Sequence, residues 1–326
     1  MSALLEVRDL ATHFFTKAGV VKAVDGVSFT LARGEVLGLV GESGSGKSVT
    51  GFSLLGLIDP PGRVVAGSVK LDGVELVGLP EEDLRRVRGC KIAMIFQDPM
   101  ATLNPVLTIA DQMQLALAAH ARVSSKAARD RSVDVLRRVG IPDAARRIDA
   151  YPHQFSGGMR QRVCIAIALL HRPPIIVADE PTTALDVSIQ AQILAEMRDL
   201  VAEFGTSLLW ISHDLAVVSA LSDRLAVMYA GRIVETGPTG AVLAAPRHPY
   251  TRGLLDALPS QTEPGLELRQ IPGSTPSLLD LPAGCPFRPR CPREGPACSV
   301  MPELTGDHVR AARCHYPLGV ERPEAA

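Results

Sequence analysis

Apolar and polar positions change period several times along this chain, and each change predicts an element. Leu4 to Leu10 alternates loosely, as do Val20 to Val24 and Val27 to Leu31, so the opening reads as β-rich with Phe14 and Phe15 in its first connection. Glu35 to Val40 is a short apolar run suited to a buried strand, and Val49 to Leu57 suits a helix. Gly67 to Gly73 predicts a hairpin arm, Glu81 to Val87 a short charged helix, and Lys91 to Phe96 a strand that ends at Gln97. From Ile109 to Val139 the apolar residues recur at helical spacing with a break near Ser124. Leu115, Leu117, Val133, Leu136 and Val139 fall on the expected buried faces, and Gly140-Ile141-Pro142 stops the segment.

Beyond Phe155-Ser-Gly-Gly-Met159 an apolar helix runs to Leu170 and closes at Pro173 and Pro174. Ile175 to Ala178 and Ser207 to Ile211 are apolar runs of the kind a parallel sheet buries, with a helix from Ser188 to Phe204 between them. Such alternation predicts an α/β fold. After Leu243 proline and glycine crowd in and periodicity fades, which places a boundary near Pro246 and an irregular tail from Pro259 onward.

The chemistry begins at Gly41 to Ser48, Gly-Glu-Ser-Gly-Ser-Gly-Lys-Ser, which fills the phosphate-loop pattern G-x-x-x-x-G-K-S/T between a strand and a helix. Gly41, Gly44 and Gly46 let the backbone turn several N–H groups toward one anion, and the helix N-terminus adds its positive end. The expected nucleotide contacts are Gly41, Glu42, Ser43, Gly44, Ser45, Gly46, Lys47, Ser48 and Val49, with Lys47 on the terminal phosphates and Ser48 on Mg²⁺.

The strand ending at Ala178 delivers Asp179 and Glu180 at the edge where open α/β sheets bind ligands. Asp179 suits Mg²⁺, and Glu180, pushed from helical geometry by Pro181, suits the base that orients attacking water. His213 leaves another strand end toward the γ-phosphate, and Gln97 offers an amide oxygen to Mg²⁺. Ser156-Gly157-Gly158, set before a long helix, forms a second anion cradle far in sequence from the first.

A formal net charge of −1 across 326 residues gives no overall basic field, which disfavours nucleic acid as a partner. No apolar stretch approaches the roughly 18–20 residues that span a bilayer, and the N-terminus lacks a signal-peptide pattern, so a cytoplasmic chain is expected. Four of the six cysteines, Cys285, Cys291, Cys298 and Cys314, stand as C-x5-C-x6-C-x15-C in the tail. Read from the residues, they suit structural Zn²⁺, a 4Fe-4S cluster, or ordinary thiols in a loosely packed tail. Cys90 and Cys164 read as packing residues.

In this order the motifs resemble the ATP-binding subunits of ABC transporters over almost the whole chain: the phosphate loop, a Q-loop at Gln97, a signature loop at Phe155 to Met159, the acidic strand Ile175 to Asp179, a D-loop at Ala184-Leu185-Asp186 and a switch histidine at His213. The resemblance implies an ABC-type P-loop ATPase domain over residues 1–245. That domain would have a RecA-like parallel sheet core, a β-rich N-terminal subdomain and a helical insert over about 98–172; the Cys-containing extension would be residues 246–326. It also implies that two such subunits pair head to tail, with Ser156, Gly157, Gly158 and Asp186 of one closing on the ATP of the other. Phe14, better placed than Phe15, is implied to stack on adenine, and Met159 stands where the wider family has glutamine.

Asp-Glu-Pro-Thr-Thr-Ala-Leu-Asp-Val and His248-Pro-Tyr-Thr-Arg-Gly-Leu-Leu255 resemble the oligopeptide and dipeptide importer branch, some members of which carry an iron–sulfur cluster in the tail. A peptide-import ATPase is the implied function, at the cytoplasmic face of the inner membrane. Its implied partners are a second ATPase subunit of different sequence, two transmembrane permease subunits and an extracytoplasmic solute-binding protein. Nickel or another small solute is the alternative cargo. A nucleic-acid-acting ATPase is disfavoured because no long coiled-coil arm separates the phosphate loop from the signature.

Overall fold

The computed structural model describes residues 3–183, 185–258, 269–307 and 309–319. The chain forms two compact units, one of Met1–Leu31, Val36–Val77 and Ile211–Ala326, the other of Ala32–Glu35 and Gly78–Trp210.

In the first unit the strand Leu5–Thr16 pairs antiparallel with Gly19–Leu31 on one side and Gly62–Leu71 on the other, and Val74–Glu75 adds an edge. Leu5, Val7 and Leu10 turn inward and are buried. The first strand is longer than its alternation predicts. Phe14 and Phe15 therefore lie within it rather than in a connection, because pairing with Val21 and Val20 continues the ladder to Thr16.

The unit's second sheet is built on Val36–Val40, buried at all five positions and parallel to Arg224–Tyr229. Full burial on both faces explains the unbroken apolar run. A Cβ at Gly38 would sit 2.1 Å from Val218 Cγ1, so glycine lets the helix Leu215–Leu221 pack directly on this strand. Arg232–Pro238 pairs antiparallel with Arg224–Tyr229, and two short tail strands, Ala311–Ala312 and Thr305–Gly306, extend the same edge. The tail, expected to be irregular, thus contributes to the sheet.

The second unit holds Ile92–Ile95 in parallel with Ile175–Asp179; Ser207–Ser212, whose residues 207–210 belong here, lies beyond the latter. Several of its helices start at polar caps. Thr108 and Asp111 form a reciprocal capping box for Ile109–Ala118, Ser124 caps Ser125–Arg138, and Asp186 caps Val187–Phe204. Leu115 is 61% exposed, against expectation. The buried ridge of that helix is Ile109, Met113 and Leu117 at intervals of four, and Leu115 sits two residues off it, about 200° around the axis.

Candidate functional site

In the first unit the buried Val36–Val40 strand runs into the glycine loop, and the helix Lys47–Leu54 follows. A Cβ at Gly46 would lie 2.1 Å from Ala23 O, and its φ of 101° belongs to the left-handed region, so only glycine lets the loop turn here. Gly46 offers no side-chain cap and the first helical turn holds no acid. Its leading N–H groups therefore suit an anion. Ser43 and Gly44 form the exposed crest, Ser45 is buried, and Ser48 and Val49 are half-buried. The Lys47 ammonium is buried and donates to Gly41 O at 2.8 Å and Glu42 O at 2.9 Å, holding a cation inside its own loop.

Glu42 is fixed from the tail. Arg290 donates to it in bidentate fashion, from Nη1 at 2.7 Å and Nη2 at 3.0 Å, and Thr275 Oγ1 donates at 3.2 Å. The Glu42 amide donates to Tyr250 Oη at 2.8 Å. Burial raises the Tyr250 phenol pKa, so it stays a neutral acceptor here, while the Glu42 carboxylate raises that of the Arg290 guanidinium. Arg290 and Thr275 stand in no motif quoted from the sequence, and Tyr250, although it lies within His248 to Leu255, carries no assigned role there, so sequence reasoning missed all three contacts. The one available signal was an arginine directly before Cys291.

Phe14 is half-buried, and a Cβ on Gly62 would lie 2.5 Å from its ring, which rests on that glycine. Phe15 is exposed, with the Arg63 guanidinium 4.4 Å from its ring centroid. His213 is exposed just after Ser207–Ser212, and Asp214 next to it caps the following helix through Ala216 N and Val217 N.

In the second unit Asp179 is buried at the end of its strand, and Glu180 follows with φ 45°. Pro181 is expected to turn Glu180 from helical geometry, and the φ of Glu180 falls in the left-handed region. The left-handed value costs on the order of 1–3 kcal/mol for a non-glycine residue. Glu180 Oε2 accepts from Thr183 Oγ1 at 3.1 Å and from Gln97 Nε2 at 3.3 Å, so the unit brings Gln97 and Glu180 together. Ser156 caps Gly157–Leu169 by accepting from Met159 N at 3.4 Å, leaving Ser156 and Gly157 exposed and Met159 half-buried. Gly158 packs on the next helix, where a Cβ would lie 2.8 Å from Ile189 Cγ2. Asp186 accepts from Ile189 N at 3.0 Å and Ser188 Oγ at 2.6 Å, which hold its carboxyl pKa below the usual range. Ala184 lies outside the described residues, and Val187 beside the cap is 81% exposed.

The four tail cysteines line one cavity in the first unit together with Arg288 and Arg293. Cys285 N donates to Cys298 O at 3.0 Å, drawing the two segments together. Backbone amides point at the sulfurs: Phe287 and Arg288 toward Cys285, Arg293 toward Cys291 and Tyr316 toward Cys314. Burial pushes the Cys314 thiol up to about 11, with the neighbouring cysteines adding to the rise. N–H donors thus reach three of the four sulfurs that line this cavity, and such donors favour thiolate over thiol.

Residues 24–183 match the ABC transporter family, and residues 234–298 match the oligopeptide/dipeptide transporter C-terminal region. The chain is 50% identical over 318 residues to the oligopeptide transport ATP-binding protein OppD of Salmonella typhimurium, covering 97% of this chain and 95% of that one. Identity to the dipeptide transport ATP-binding protein DppD of Haemophilus influenzae is 48% over 317 residues, covering 97% and 96%. Among solved structures, a dimeric ATP-binding cassette in a post-hydrolysis state bound to ADP and Pi superposes with a TM-score of 0.65 at 27% identity, covering 72% of this chain and 98% of its own.

The tail region is anchored near His248, which is buried, accepts from Tyr250 N at 3.0 Å and donates its own amide to Glu235 at 2.8 Å. Burial pushes its pKa from 6.5 down to about 3. Between these values the unfolded chain takes up a proton that the folded chain refuses, so stability is lost as pH falls from about 6.5 toward 3. His248→Asn keeps a capping acceptor and removes the titration. Urea unfolding across that window should show the variant's acid slope shallower by up to about 1.4 kcal/mol per pH unit. Equal slopes would mean that His248 is not held neutral.

Proposed function

Because this chain belongs to the ABC transporter family, in its oligopeptide and dipeptide branch, we propose that it is the ATP-binding and hydrolysing subunit that energises peptide uptake. The match of residues 234–298 to the oligopeptide/dipeptide C-terminal region favours peptides over nickel. No helix among the described residues is long and apolar enough to cross a membrane, so transport requires membrane partners. These are two permease subunits served by an extracytoplasmic solute-binding protein, with this chain on the cytoplasmic face of the inner membrane beside a second, different ATPase subunit. Residues 1–245 form the nucleotide domain, with its helical subdomain at about 98–172, and residues 246–326 the extension.

Gly41 to Val49 cradle the triphosphate, and Phe14 stacks on adenine. Lys47 exchanges the Gly41 and Glu42 carbonyls for phosphate oxygens without leaving its loop, which its present hydrogen bonds support. Ser48, Asp179 and Gln97 hold Mg²⁺, which neutralises charge on the phosphates when bound. Glu180 accepts the proton of the attacking water, and His213 contacts the γ-phosphate from its strand end. The observation that carries hydrolysis, beyond binding, is the Glu180 carboxylate held directly after Asp179 by Gln97 and Thr183. Ser156, Gly157 and Gly158, with Asp186, cover the ATP of the neighbouring subunit. The exposure of Ser156, Gly157, Asp186 and Val187 supports a surface made for a second chain. The dimeric state of the ADP-bound cassette described above favours the same arrangement.

Cys285, Cys291, Cys298 and Cys314 hold a 4Fe-4S cluster, with Zn²⁺ as the competing occupant. The N–H donors at three of the four sulfurs support a thiolate site.

Glu180→Gln in the assembled transporter should lower ATP turnover by roughly 10²–10⁴-fold while ATP stays bound and the ATPase pair stays closed. Turnover at the parent rate would remove Glu180 as the base. Anaerobically purified protein should be brown, with broad visible absorbance and about four irons per chain, and Cys298→Ser should lose both. Colourless, iron-free protein with four intact thiols would rule the cluster out.

A further inference from the structure

Outside the nucleotide and tail sites, the second unit gathers three side chains that neither site uses. Cys90 lies in the turn between the helix Glu81–Val87 and the strand Ile92–Ile95, His120 just beyond Ile109–Ala118, and His171 just beyond Gly157–Leu169. One ligand atom from each lies within 4.8 Å of the other two, and all three residues are half-buried. The two imidazoles meet edge to face, with centroids 4.9 Å apart and planes at 81°.

Each ring also bonds a backbone carbonyl. His171 Nε2 lies 3.0 Å from Ala116 O, and a His120 ring nitrogen bonds the Arg88 carbonyl. A neutral imidazole that donates one N–H to a carbonyl has its lone pair on the other nitrogen, the arrangement that orients a metal-binding histidine. The Cys90 thiol pKa is raised by burial, while Lys91 and Arg131 act in the opposite direction.

We propose that Cys90, His120 and His171 form a zinc site that ties together the ends of these three segments. One sulfur and two nitrogens suit Zn²⁺, and three protein ligands leave a fourth position for water. Tetrahedral zinc needs its ligand atoms roughly 3.3–3.7 Å apart, so the side chains close by little more than about 1 Å from the present limit. A surface groove lined by Glu82, Arg85, Arg86, Arg88 and Ala119 borders His120. The strand beside Cys90 leads to Gln97, and the helix before His171 begins at Ser156, so an occupied site braces the far ends of two functional elements.

The test uses the full-length chain, stripped with a mild chelator and titrated with Zn²⁺ against a chromophoric competitor. Cys298→Ser separates this site from the tail. The proposal expects one zinc per chain that persists in Cys298→Ser and whose affinity falls roughly 100-fold or more in Cys90→Ser and in His171→Gln. Cobalt substitution in the Cys298→Ser chain should give a thiolate charge-transfer band that Cys90→Ser abolishes. Circular dichroism identifies a variant that fails to fold, and His171→Gln then decides alone. Zinc binding unchanged in both ligand variants, or lost in Cys298→Ser, would overturn the proposal, as would a stripped chain that takes up no zinc.

Discussion

The Arg290–Glu42 pair is the contact on which the shape of the phosphate loop depends. The guanidinium is nearly buried, lies 5.9 Å from the ring centroids of both Tyr229 and Phe287, and spends two of its donors on one carboxylate. Glu42 cannot relax toward solvent without stranding that cation. Removing one partner of a buried pair typically costs about 3–5 kcal/mol, far more than the pair's net worth, because the other charge is left uncompensated. Glu42 also lends its carbonyl to Lys47 and its amide to Tyr250. One residue thus links the tail to Lys47, the lysine proposed to serve the nucleotide. Arg290 directly precedes Cys291, which lines the cysteine cavity.

Hydrolysis asks something different of the second unit. Glu180 is held in a strained left-handed conformation at the end of an otherwise fully buried strand, with Gln97 and Thr183 gripping its carboxylate. The strand supplies rigidity, and the strain sets the direction of one side chain. Ser156 and Asp186 serve as N-caps as well as candidate partner contacts, so the residues offered to a neighbour are also those that start the helices. Substituting either would disturb helix and interface together.

Elements whose chemistry is local were legible in the sequence. The phosphate loop, the acidic strand end and the Ser156 cap each depend on glycines, hydroxyls or carboxylates at fixed short spacing, and each lies where that spacing put it. What was not legible depends on partners distant in the chain. Phe14 and Phe15 extend a strand because Val21 and Val20 pair with them, and Leu115 is exposed because Met113 and Leu117 already cover the buried side. Glu180 takes a left-handed φ that Pro181 alone does not specify, and its carboxylate accepts from Gln97, 83 positions away. The grip of Arg290 on Glu42 spans 248 positions and has no periodicity to betray it.

The most direct measurement is a double-mutant cycle between Arg290→Met and Glu42→Gln, read as equilibrium ATP affinity of the full-length chain. If the tail holds the phosphate loop in its binding shape, each single change weakens ATP binding. The double variant is then no weaker than the worse single, with a coupling of about 1 kcal/mol or more. Strictly additive losses, or an Arg290→Met chain that binds ATP as the parent does, would show that the loop keeps its shape without the tail.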